Sequence, residues 1–240
     1  MRNVIVTGGS RGIGLAIARR LCACGYCCIV IARHESEALS SAIREYGPAL
    51  QFRPFDLSAI SDIPELVRSI RKECGPIYGL INNAAAGSSG ILSSTQNSTI
   101  ESMIVLNTVS PIIFTKYVVR SMMTGAGGRI VNIASIVGST GFSGLSVYAA
   151  TKASIVGFTK SLARELGPLN ITVNAIAPGF VDSDMTASLG SDQRDKVLRR
   201  SPLLRLAEAG DIAHATEFLL GDSARNITGT VLTVDAGSTA

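Results

Sequence analysis

The sequence predicts an α/β protein built on one doubly wound parallel sheet of about seven strands with helices on both faces, in a single domain over residues 1–240. Three observations carry this. Short β-branched runs alternate with helical stretches from one end to the other, the pattern of successive βα units. The runs are apolar nearly throughout, Ile29-Val30-Ile31 and Ile130-Val131-Asn132-Ile133 among them, as in strands covered on both faces. Finally, 46% of the side chains are hydrophobic and 17% charged, enough to fill a core at this length, and no linker divides the chain.

The elements follow in order. A strand at Val4–Thr7 runs into Gly8-Gly9-Ser10-Arg11-Gly12-Ile13-Gly14 and a helix over Gly12–Cys24. Strand Cys28–Ala32, helix Ser36–Tyr46, strand Gln51–Asp56 and helix Ile63–Cys74 come next. Strand Gly79–Asn82, a helix around Thr99–Met123, strand Gly128–Ala134 and a long helix near Ser146–Leu166 continue the alternation. Strand Thr172–Pro178, helix Asp211–Leu220 and a last strand at Thr230–Asp235 complete it. One irregular segment, Val181–Leu206, interrupts the pattern, and long loops in compact domains are commonly functional.

Composition removes several classes. A net charge of +4 with scattered cations gives no footprint for nucleic acid. The densest basic stretch, Arg194, Lys196, Arg199, Arg200 and Arg205, reads as a solvated helix face, a handle for an anionic substrate being the other reading. No leader precedes the first strand, and no apolar run is seen to approach the ~18 residues that span a bilayer, so a cytoplasmic protein with no membrane partner is expected. Four of the five cysteines crowd into Cys22, Cys24, Cys27 and Cys28 without a nearby histidine. Small buried hydrophobes fit them better than a disulfide framework or a zinc site, and no metal is expected.

The glycine run has strand before it and helix after it, the context in which glycines let backbone approach a ligand and helix N-terminal amides face a pyrophosphate. A Rossmann-type dinucleotide site is therefore expected, with Gly8, Ser10, Arg11, Gly12, Ile13 and Gly14 around the phosphates. The second strand ends in Arg33 and His34 where an NAD site places an acid. A cation suits a 2′-phosphate, and Arg33, with Arg11 or Ser10, would form charge-assisted bonds to it. NADP(H) is expected over NAD(H), the other reading being that Arg33 simply faces solvent.

Tyr148 and Lys152 are four residues apart on a helix, so their heads share one side, and Ser135 ends a strand at its carboxyl edge, where open α/β sheets bind ligands. Together TGGSRGIG, the Asn82–Ala85 run, Asn107, Ser135, Tyr148 with Lys152 and Pro178-Gly179 resemble the short-chain dehydrogenase/reductase family over essentially the whole chain. Within it, YAATKASIVGFTKSLARELG, ITVNAIAPGFVDSDMT and ITGTVLTVDAG are most similar to the 3-oxoacyl-acyl-carrier-protein reductases.

The resemblance implies an NADPH-dependent reduction of a carbonyl, a 3-oxoacyl thioester first, with Tyr148 as general acid. A phenol near pKa ~10 is a slow proton source at neutral pH, and a Lys152 ammonium beside it, together with the positive charge on oxidised nicotinamide, would lower that value. Ser135 would hydrogen-bond the substrate oxygen. The resemblance further implies that Lys152 holds the nicotinamide ribose and that Asn107 organises a water path to Lys152. It places Asp56 and Leu57 at the adenine, a helix cap by Asp56 being the other reading. Asn83, Ala84 and Ala85 would lie along the cofactor, Ala85 standing where the family has glycine. Pro178, Gly179 and Val181, with Thr186, would bracket the nicotinamide amide.

The same motifs serve dehydrogenases of sugars, polyols and secondary metabolites, and a non-catalytic nucleotide-binding subunit is a third possibility. A carrier protein is acidic, and carrier-acting members often carry a basic residue where this chain has Leu169-Asn170, although Arg129 is retained. The Val181–Leu206 cations would then compensate. The family also implies a homotetramer packed through the two long helices, with Ile104, Phe114, Val118, Phe158 and Leu162 as interface or core.

Overall fold

The computed structural model describes residues 1–125, 127–181 and 198–240. Its seven strands, all parallel, lie in the order β3-β2-β1-β4-β5-β6-β7. They are β1 (Asn3–Thr7), β2 (Cys27–Ala32), β3 (Leu50–Pro54), β4 (Ile77–Asn82), β5 (Gly128–Ile133), β6 (Ile171–Pro178) and β7 (Val231–Val234). The strand order reverses between β1 and β4, and in open α/β sheets the crevice at such a reversal receives the ligand.

Alternate residues of each strand face opposite layers. Val4, Val6, Val30 and Val131 pack on one face in the cluster that α1 (Gly12–Ala23), α2 (Glu37–Tyr46) and the helix Ala209–Leu220 cover. Ile5, Ile29, Ile31 and Ile130 pack on the other, under α3 (Ile63–Cys74) and the later helices, whose Phe114, Val118 and Met122 enter the same cluster. Both faces are covered, which is why the strands carry apolar residues at successive positions.

The helix read as Thr99–Met123 is three pieces: α4 (Asn97–Ile104), a π turn over Val105–Val109, and α5 (Ser110–Met122). Together these 26 residues are long and apolar enough to cross a membrane, against the sequence reading that no such run exists. Phe114, Val118 and Met122 of this stretch pack onto the sheet, while Ile104 and Ile112 are exposed. After β5 come the short α6 (Val137–Thr140) and the long α7 (Ser146–Leu166), and α8 (Ala209–Leu220) precedes β7. All five cysteines are free; Cys22, Cys27 and Cys28 are buried as expected of small hydrophobes, whereas Cys24 is exposed at the end of α1.

Leu204 and Ala236 both have left-handed backbone, φ +50 and +55. The two turns hold each other: Leu203 N donates to Ala236 O at 3.3 Å, and the Ser201 hydroxyl donates to the same carbonyl at 2.8 Å. A Cβ is disfavoured there, and at Leu204 little is gained in return, because the side chain is 73% exposed. Leu204→Gly is expected to stabilise the fold by about 0.5–1 kcal/mol despite glycine's greater unfolded-state entropy, read from the urea midpoint. A lower midpoint would mean that the Leu204 side chain makes a contact that outweighs the strain.

Candidate active site

The chain leaves β1 through Gly8, whose φ of +67 and whose N–H bond to Ile31 O (2.7 Å) turn it sharply against β2. A Cβ on Gly8 would lie 2.7 Å from Ala84 Cα, and one on Gly14 would lie 2.4 Å from Gly8 O. Only glycine permits these approaches. Gly12, at φ +55, instead opens onto free space, with no atom within 4 Å of a Cβ there. It starts α1, which has no side-chain cap and no acid in its first turn. Uncapped N–H groups and a bare positive helix end facing open space suit a phosphate anion.

Arg11 and Arg33 are exposed and enter none of the ion pairs found among the described residues, leaving both cations available to an anion. The loop bearing Arg33 is tied to the glycine run: the Ser36 hydroxyl donates to Ser10 O and accepts from Leu39 N (3.1 Å) as the cap of α2. These residues fit a dinucleotide with an added phosphate.

Thr7, which sequence reasoning missed, organises the crevice. Its hydroxyl accepts from Asn83 N (3.0 Å) and Ala84 N (3.1 Å) and donates to Ile81 O (3.2 Å). Asn83 Nδ2 reaches back to Thr7 O at 2.9 Å and Gly8 O at 3.1 Å. The end of β4 is thereby fastened to the glycine run, and Ala85 keeps an ordinary backbone, so its methyl costs no left-handed strain. Asp56 caps the turn after β3 through Ser58 N (2.9 Å) and does not cap α3, which starts at Ile63. Leu57 is buried and lines a small cavity with Thr7, Asn82 and Ala84.

Ser135 follows β5, and Tyr148 lies in the first turn of α7 with Lys152 one turn on. The structure brings all three together. Ser135 neighbours the Tyr148 hydroxyl and favours its ionised form, and the Tyr148 ring has Lys152 Nζ 5.6 Å from the centroid. Burial pushes the Tyr148 phenol up, and Ser135 only partly opposes it. The Lys152 ammonium beside the ring donates to Ile133 O at 2.7 Å. Lys152 is itself buried, and loss of hydration lowers its pKa to about 8.

A chain of buried hydrogen bonds, also unforeseen, sets the depth of α7. Asn82 Nδ2 donates to Thr115 Oγ1 (2.9 Å) and to Asn132 Oδ1 (2.8 Å), and Asn132 Nδ2 donates to Thr159 Oγ1 (2.9 Å). Asn107 sits in the π turn, a local irregularity often found at functional sites. Its amide brackets Ala86, accepting from N and donating to O at 2.8 Å each, and also meets Thr151 Oγ1 at 3.2 Å. The side chain is thus occupied with positioning the β4 loop against α7.

Pro178 O accepts from Ile136 N at 3.0 Å, joining the β5 and β6 ends, and a Cβ on Gly179 would lie 2.7 Å from Asp235 Cβ. The Val181 side chain is packed in the core, and the residue bridges Ala207. Whatever it offers a ligand comes from its backbone. Thr186, Arg194 and Lys196 lie outside the described residues.

The family model described as short chain dehydrogenase matches residues 2–194. The 3-oxoacyl-[acyl-carrier-protein] reductase FabG of Escherichia coli (strain K12) is 41% identical over 235 residues, covering 97% of this chain and 95% of its own length. Carbonyl reductase family member 4 of Xenopus laevis is 39% identical over 232 residues, covering 97% and 95%. Among solved structures, a blue fluorescent protein from a metagenomic library in complex with NADPH superposes with TM-score 0.93 at 32% identity, over 100% of this chain and 98% of that one.

The buried ammonium sets a stability dependence. Since Lys152 has a pKa of about 8 in the fold and about 10.5 in the unfolded chain, the unfolded state binds more protons between these values. Stability on this account is lowest below pH 8 and rises toward pH 10.5. Lys152→Met is expected to raise unfolding free energy at pH 7 by about 1–3 kcal/mol, with the gain fading by pH 10, while turnover is lost. Urea unfolding of both proteins across this range checks it, and a pH-independent difference would refute the assignment.

Proposed function

The chain belongs to the short-chain dehydrogenase family, and on that premise we propose that it is an NADPH-dependent reductase that converts a 3-oxoacyl thioester to the secondary alcohol. The observation that carries this is the Ser135–Tyr148 hydroxyl pair at the carboxyl edge of the sheet with the buried Lys152 beside it. The name of the E. coli relative supports the substrate, and the NADPH in the metagenomic structure supports the cofactor.

Gly8, Ser10, Arg11, Gly12, Ile13 and Gly14 would hold the pyrophosphate, Arg33 the 2′-phosphate, Asp56 and Leu57 the adenine side, and Asn83, Ala84 and Ala85 the central stretch. Pro178, Gly179, the Val181 backbone and Thr186 would hold the nicotinamide end. When bound, the reduced nicotinamide supplies the hydride. Ser135 and Tyr148 orient the substrate carbonyl by hydrogen bonds to its oxygen, and the Ser135 bond grows stronger as negative charge develops there. Tyr148, kept protonated by its burial, gives its proton to that oxygen. The Lys152 ammonium then stabilises the phenolate left behind, and Asn107 holds the β4 loop and α7 in the register this requires.

One domain is supported by a single sheet whose strands run from residue 3 to residue 234. A homotetramer is supported by Ile104, 42% exposed, and Ile112, 38% exposed, on the long helix, whereas Phe114 and Val118 are wholly buried in the subunit's own core. A carrier protein would meet the exposed Arg199, Arg200 and Arg205, since Arg129 is 4% exposed and bonded to Gly128 O and Asn170 O. Five free cysteines suit a cytoplasmic enzyme.

The expected result is NADPH oxidation with acetoacetyl-CoA and with a carrier-bound 3-oxoacyl substrate. Tyr148→Phe should lower kcat about a thousand-fold with NADPH still bound. Arg33→Asp should lower the kcat/KM preference for NADPH over NADH about a hundred-fold. Turnover of sugars or polyols in place of thioesters would leave the proton chemistry standing and overturn the substrate.

A further inference from the structure

Three loops leave the carboxyl ends of β4, β5 and β6 and meet around Ser135 and Tyr148. Gly90 N donates to Gly144 O at 2.9 Å, joining the first to the second, and Ile136 N donates to Pro178 O at 3.0 Å, joining the second to the third. The stretches involved, residues 83–96, 134–147 and 178–181, contain no Asp, Glu, Lys, Arg or His at all. A charged substrate therefore finds no counter-ion on them.

They present apolar side chains instead. Phe142, in the turn that leads into α7, meets Phe180, two residues beyond Pro178, edge to face with ring centroids 5.7 Å apart and planes at 65°. The turn is built for this presentation: Gly141 and Gly144 flank it with φ +68 and +81, and Leu145 N closes it on Phe142 O at 3.1 Å. Ile91, at 73% exposure, and Phe142, at 44%, gain little from folding where they stand. Contiguous exposed apolar side chains beside a reacting centre mark a ligand surface.

We propose that Phe142 and Phe180, with Ile91 on the facing loop, form the wall that receives the alkyl chain of the substrate beyond its reacting carbonyl, making this a reductase selective for extended apolar acyl chains over short ones. The inference rests on Ser135 and Tyr148 being the carbonyl-binding pair. An alkyl chain is the occupant because the wall stands on the same three joined loops as Ser135 and the turn leading to Tyr148, and those stretches carry no charge. Each methylene transferred from water to such a wall contributes about 0.8 kcal/mol, close to four-fold in kcat/KM when burial is complete.

The experiment measures kcat/KM with NADPH for N-acetylcysteamine thioesters of 3-oxobutanoate, 3-oxohexanoate, 3-oxooctanoate and 3-oxodecanoate, and in parallel for methyl ketones of matching alkyl length. The wild type is expected to gain two- to four-fold per methylene. Phe142→Ala should lower the ten-carbon to four-carbon ratio at least ten-fold, Phe180→Ala likewise, and Phe142→Leu should keep the ratio within about three-fold of the wild type. NADPH affinity, read by fluorescence, reports whether Phe142→Ala is folded. A flat series in the wild type, or a Phe142→Ala loss equal at every chain length, overturns the proposal. Turnover of the ketones alone, still rising with chain length, upholds the wall and overturns the thioester reading; turnover of neither series overturns both.

Discussion

The buried chain from Thr115 through Asn82 and Asn132 to Thr159 is the constraint on which the site depends. It runs between two adjacent strands and ends on α7, and all four residues are at most 6% exposed. Neutral amides and hydroxyls bonded in a low-dielectric interior resist displacement, since a broken bond leaves a buried polar group unsatisfied. Asn132 fixes α7 through Thr159, and the next residue, Ile133, receives the Lys152 ammonium through its carbonyl. Positions 152 and 159 are two helical turns apart, so β5 grips one face of α7 at two heights. Tyr148 has its place relative to Ser135 because of that grip.

The same grip explains why the site is costly to the fold. Lys152 is buried, and among the described residues its charge is compensated by a carbonyl dipole and not by a carboxylate. Burial works on Tyr148 in the opposite chemical direction, keeping the phenol protonated. Both shifts have one origin, the exclusion of water at the carboxyl edge, and both suit a group that must hold a proton until a carbonyl oxygen takes it. A charged lysine and a neutral phenol side by side are the pair that proton delivery to an alkoxide asks for.

The two ends of the crevice divide the work. At the glycine run, uncapped amides and the unpaired Arg11 and Arg33 provide positive potential for phosphates. At the other end the stretches 83–96, 134–147 and 178–181 carry no charge, and Phe142 meets Phe180 edge to face. Thr7 and Asn83 join the halves, because their bonds hold the end of β4 against the glycine run so closely that Gly8 has no room for a side chain. A cofactor laid along this line has its anionic part at one end and its reacting end among apolar walls.

Much of this was legible in the chain itself. Strand runs such as Ile29-Val30-Ile31 and helices such as Ile63–Cys74 stand where periodicity put them, because dihedral preference and the choice of buried face are properties of neighbouring residues. The glycine run could be read for the same reason: turn, close approach and helix start are encoded within seven positions. Other features belong to no single segment. The bonds of Asn107 to Ala86 and Thr151, the service of Thr7, the Asn82–Asn132–Thr159 chain, the burial of the Val181 side chain and the meeting of Phe142 with Phe180 all join residues far apart in sequence. Spacing showed that Tyr148 and Lys152 share one side of a helix, but not where the ammonium points or how much water remains around the phenol, whose burial pushes its pKa up. The sequence by itself determined the order of elements and the chemical kinds at the site; packing alone decided distances, burial and hence the protonation of the groups that act, since these depend on the summed contacts of segments that only the tertiary fold brings together.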